Sequence, residues 1–71
     1  MYIFAFIKEC VREFETARDE WIAADLYAKR LATRLAQKPT YELLNALEQA
    51  EREALRLRGN LERALNRLPP W

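Results

Sequence analysis

Cys10 is the only thiol in the chain, and the sequence supplies no histidine and no serine to work beside it. A nucleophilic or redox cysteine needs a cation or base that holds it as the thiolate, and a thiol lodged among apolar side chains is inert. A serine triad or a histidine base is unavailable from the residue types present. Glutamates are plentiful, yet the Glu-x-x-His pairs that build di-iron centres in helical bundles need an imidazole. No cysteine–histidine cluster has zinc-ligand spacing. Gly59 stands alone, so no glycine-rich loop is on hand to cradle a phosphate. These residue types point away from an enzyme and imply neither a metal nor an organic cofactor.

What remains are groups that bind. Lys29, Arg30, Arg34 and Lys38 form one basic cluster; Arg56, Arg58, Arg63 and Arg67 form another. Such side chains contact phosphates in RNA or DNA, and the first cluster is the candidate nucleic-acid surface. The net charge of +1 is too balanced to announce a polyanionic partner by itself. Tyr2, Phe4 and Phe6 open the chain and Trp71 closes it, a set that would anchor another protein or a membrane surface unless chain folds over it.

The elements that position these groups are written in the apolar spacing. Ile3, Ile7, Cys10, Phe14, Ala17, Trp21, Ala24, Ala28, Leu31 and Leu35 follow one another at alternating steps of four and three. Leu43, Leu47, Ala50, Ala54, Leu57, Leu61, Ala64 and Leu68 do the same. This is the core stripe of a coiled-coil seam. Pro39 stops the first helix, Thr40 is placed to cap the second, and Pro69–Pro70 end it. Gly59 weakens the second helix by about 1 kcal/mol relative to Ala without breaking its stripe. The 71 residues therefore read as one all-α helical-hairpin domain. Its helices cover residues 2–37 and 40–68, its turn residues 37–40, and a Pro-Pro-Trp tail follows.

Charge tests the antiparallel hairpin independently. Residues 1–25 carry −3, 26–40 carry +4, 41–53 carry −3 and 54–71 carry +3. Folding at the turn lays opposite signs side by side, and it also places acids towards helix N-termini and bases towards C-termini. If Leu35 faces Leu43, then Leu31 meets Leu47, Ala28 meets Ala50, Ala24 meets Ala54 and Trp21 meets Leu57, with Trp21 expected to be mostly buried. Further from the turn, Ala17 meets Leu61 and Phe14 meets Ala64, so that large residues oppose small ones.

One flank of this hairpin pairs Val11 with Leu65, Arg18 with Arg58, Asp25 with Glu51, and Ala32 with Leu44. Two of these pairings are like-charged within a chain. They become favourable when a second hairpin packs antiparallel, so that the arginine band of one copy meets the acidic band of the other. That operation is a two-fold axis at the level of residues 21 to 22, where Ile22 and Leu55 point outward with Leu26 nearby. A chain of this length, with no disulfide to staple it, is marginal as a monomer. The expected assembly is a homodimer forming a four-helix bundle. The other flank, with Glu13 near Arg67, Glu20 near Asn60 and Tyr27 near Glu53, reads as solvated.

This architecture, with its Ala-rich seam, resembles that of the small plasmid-encoded RNA-binding hairpin dimers of the Rop type. The resemblance is one of fold and carries no function with it. The expectation is a protein-binding regulator, adaptor or inhibitor; RNA binding through the first basic cluster is the alternative, and membrane association through the aromatic start is a third reading. The run "MYIFAFI" is seven residues, against about 20 to span a bilayer. It has neither the basic region nor the cleavage site of a signal peptide. The expected compartment is the cytoplasm, where a lone thiol stays reduced.

Overall fold

The computed structural model describes residues 2–69, Tyr2 by its backbone alone; Met1, Pro70 and Trp71 lie outside the described residues. Two helices, α1 (Tyr2–Gln37) and α2 (Tyr41–Asn66), pack along each other as an all-helical hairpin. The result is a rod of 56 × 16 × 14 Å. Its length is that of α1, whose 36 residues at a rise of 1.5 Å span about 54 Å.

The turn works by local chemistry. α1 closes with the Lys38 N–H donating to the Arg34 carbonyl at 2.9 Å, after which Pro39 cannot continue the helix. Thr40 takes an extended conformation and its hydroxyl accepts from the Leu43 N–H at 3.1 Å. That bond satisfies one of the donors every helix start leaves open, a contribution of about 1 kcal/mol. Glu42 sits in the first turn, at the positive end of the dipole. α2 then ends on Arg67, whose N–H reaches back to the carbonyls of Arg63 and Ala64 at 3.2 Å each.

The core is the seam. Cys10, Ala28, Leu31, Ala50, Ala54, Leu57 and Ala64 are the buried hydrophobic residues, and all belong to the two apolar series. A cluster of Ala28, Leu31 and Ala50, with Leu43, Ala46 and Leu47 against them, lies near the turn. This pairing is the one expected when Leu35 faces Leu43. Alanine layers let two backbones approach closely, so small side chains are enclosed outright. Of the larger ones Leu31 and Leu57 are enclosed too, whereas Phe14, Trp21, Leu35 and Leu61 are only partly buried. Trp21 is mostly buried, as expected, but it is not enclosed. Two helices make a seam one side chain wide, and an indole outgrows it into the flank.

Gly59 lies inside α2, which continues through it, and has no positive φ. A β-carbon there would meet only the Arg63 guanidinium, at an ordinary 3.8 Å. The glycine therefore costs backbone entropy and relieves no clash. Gly59→Ala is expected to raise stability by about 0.5–1 kcal/mol, readable as a higher denaturation midpoint with an unchanged slope.

Candidate interaction surface

Exposed apolar residues are distributed unevenly around the rod. Phe4, Val11, Ile22, Leu44, Leu55 and Leu65 are exposed on one flank, and Leu26 lies one step further around α1. The opposite flank carries Phe6 and Tyr27. Ile22 is 42% and Leu55 70% exposed, against 2% for Cys10 on the seam. A scattering of single surface apolars is ordinary; a line of them along one face is not.

At mid-length this apolar flank opens into a shallow groove whose lining includes Trp21, Asp25, Glu51, Leu55 and Arg58. The outgrown part of the indole is therefore part of the flank. Charges here run in bands. Arg18 reaches only its neighbour Asp19, at 3.3 Å, and lies 6.0 Å from the Phe14 ring centre. Arg58 is 3.6 Å from Glu62, one turn further along the same helix. Asp25 pairs with Lys29 at 2.9 Å. Among the described residues, neither arginine of this flank is paired with Asp25 or Glu51. Exposed pairs of this kind contribute little and are easily exchanged for better partners.

The other flank is more polar and carries the cross-helix ion pair. Arg67 closes the far end of the hairpin on Glu13 at 3.1 Å, the cross-helix pair the register requires. Glu20 and Asn60 line one groove, Tyr27 and Glu53 another. Arg56 grips Glu53 from the next turn, and its hydrogen bond holds the Glu53 carboxyl below the usual carboxylate range.

The first basic cluster divides. Lys29 is engaged by Asp25, while Arg30, Arg34 and Lys38 are exposed at steps of four and make no ion pair among the described residues. Of the aromatic set, Phe4 and Phe6 are exposed at the start of α1; Trp71 and the side chain of Tyr2 fall outside the described residues. No helix among the described residues is long and apolar enough to cross a membrane.

Cys10, although the one thiol, faces the seam. It is expected to resist a thiol reagent in native buffer and to react at the rate of a free cysteine once the chain is unfolded. Rapid native modification would instead assign it a redox or nucleophilic part.

Sequence periodicity missed one contributor. Trp21 scores as a seam residue, and no pattern in the sequence signals that its ring also lines the flank groove; only the width of the seam decides that. Comparison with family models, with curated proteins and with solved structures finds no significant match.

Proposed function

We propose that this chain is a non-catalytic protein-binding module that works as a homodimer of hairpins, packed through the apolar flank into a four-helix bundle. The observation that carries the reading is the order of groups along that flank. Apolar Val11 and Leu65 come first, then basic Arg18 and Arg58, then Ile22 and Leu55, then acidic Asp25 and Glu51, then Ala32 with Leu44. Turned end for end, the sequence of groups is complementary to itself, which is what an isologous interface requires. Surface area supports the same reading. The rod exposes 6025 Å², whereas a compact monomer of 8.5 kDa exposes roughly 4,700 Å². Dimer formation through one long flank would remove much of that difference from water.

A module of this kind acts through its surface, because its sequence lacks the histidine and serine that most acid–base and nucleophilic sites use. The dimer leaves the polar flanks of both hairpins outward as the faces on which a protein partner is met. The stripe of Arg30, Arg34 and Lys38 favours RNA as a second reading, with three cations per chain for phosphate contact.

Sedimentation equilibrium tests the dimer: the expected mass is twice 8.5 kDa, persisting at high salt because the centre of the face is apolar. A monomer at every accessible concentration would overturn it. Binding of a labelled RNA that falls steeply with salt would favour the second reading. Flotation with anionic vesicles would favour the membrane one.

A further inference from the structure

α1 has 36 residues and α2 has 26, so the first turns of α1 run past the end of their partner helix. Phe4 there is 72% exposed. Ile3, although on the seam series, is also exposed because α2 does not extend far enough to cover it. At the opposite end of the rod the turn forms an apolar groove lined by Leu35, Pro39, Thr40, Tyr41 and Leu44, with Tyr41 84% exposed. The two features lie at opposite ends of one hairpin and cannot meet within it.

We propose that they meet across the dimer: Phe4 of each copy seats in the turn groove formed by Leu35, Pro39, Tyr41 and Leu44 of the second copy, so that the partner's turn covers the overhang. The inference rests on the dimer read above, and it adds contacts that played no part in placing the axis. Arg18 opposite Asp25 and Arg58 opposite Glu51 fix the two-fold midway between residues 21 and 22. That operation carries the level of Phe4 to the level of Pro39, each about 26 Å from the axis at 1.5 Å per residue. Phe4 also lies on the correct flank, since it continues by sevens into Val11, Arg18, Asp25 and Ala32. Leu44 continues by sevens into Glu51, Arg58 and Leu65 on the same flank of α2.

The chemistry at the ends suits the seat. A phenyl ring packs against the proline ring and the tyrosine face in the offset geometry aromatic pairs prefer, while the Tyr41 hydroxyl stays at the rim in water. The unequal helix lengths then have a structural use, because the part of α1 that α2 leaves bare is the part the partner's turn reaches. Phe6 projects on the opposite flank and takes no part in this contact.

Cross-linking reads the arrangement directly. In a Cys10→Ala background, Phe4→Cys and Tyr41→Cys chains are prepared separately, mixed and oxidised. The expected result is a disulfide between the two different chains and none within either sample alone, since like ends of an antiparallel dimer lie at opposite ends of the bundle. A 4–4 disulfide in the Phe4→Cys sample would overturn the proposal, because it demands a parallel arrangement. Dimer by sedimentation with no 4–41 disulfide would overturn the proposal and leave the dimer standing; monomer throughout would remove both. A second measurement avoids the cysteine background altogether. Phe4→Ala in the native sequence is expected to raise the dimer dissociation constant by roughly tenfold to a hundredfold, since two phenyl groups leave the interface. Phe6→Ala is expected to leave the constant unchanged, and equal effects of the two variants would overturn the seat.

Discussion

Trp21→Ala is expected to remove about 3 kcal/mol of stability and with it most of the cooperativity of unfolding. The figure is the lower end of the cost of truncating a core tryptophan, used because the ring is partly buried and not enclosed. The indole holds two positions at once. By its spacing it belongs to the seam series, and it also lines the flank groove beside Asp25, Leu55 and Arg58. Alanine would leave a void in the first and flatten the second. A hairpin of this size has about 4–10 kcal/mol in total, so the loss is a large fraction of it. Tyr27→Ala, on the polar flank, is expected to cost much less. Denaturation at several protein concentrations separates the two contributions of Trp21, because the flank part scales with dimer formation and the seam part does not. An unchanged midpoint for Trp21→Ala combined with loss of a protein partner would move Trp21 from the seam to the partner-binding surface.

Seam and turn were legible in the sequence because each is specified by local rules. Alternating steps of four and three name the residues that two helices turn towards each other, and the buried hydrophobic residues all lie on those steps. Thr40 after Pro39, with Glu42 in the following turn, is the local signal of a helix start, and Thr40 does cap α2. Register was legible as well, because Glu13 and Arg67 have to meet when Leu31 faces Leu47, and they do so at 3.1 Å. What pattern does not encode is how much of a large side chain two helices can enclose. Trp21 and Phe14 satisfy the spacing as fully as Ala28, yet they protrude, since spacing gives direction and not volume. Ile3 shows the same limit from the other side: its position on the seam is correct, and its exposure follows from where α2 stops. The candidate surface was legible only as an order of groups. That order names which bands are complementary, while the flank's depth at the Trp21 groove and at the turn had to come from the packed helices.

Replacing Ile22 and Leu55 together with Asp is expected to convert the proposed dimer to monomer or to unfolded chain. Both side chains already face outward, so neither change disturbs the seam. In the proposed dimer, however, the two-fold would bring both copies of each residue to the centre of the face. Four carboxylates would then be buried among the apolar groups around Trp21, with the arginine bands already committed to Asp25 and Glu51. Unpaired charges in such a place cost on the order of 4 kcal/mol or more, equivalent to about a thousandfold in the dissociation constant. Sedimentation at fixed concentration reads the mass, and far-ultraviolet circular dichroism shows whether the helices persist. A charge exchange then asks whether the axis is where the bands place it. Chains carrying Arg18→Glu with Arg58→Glu should fail to self-associate, as should chains carrying Asp25→Lys with Glu51→Lys, because each would set like charges against each other across the axis. Mixed together, the two should pair, since the acids of one meet the lysines of the other at one end of the face. At the other end the native acids of the first chain meet the native arginines of the second. If the double-Asp chain stays dimeric, or the two exchanged chains ignore each other, association runs through a different surface and the apolar flank is left to another partner.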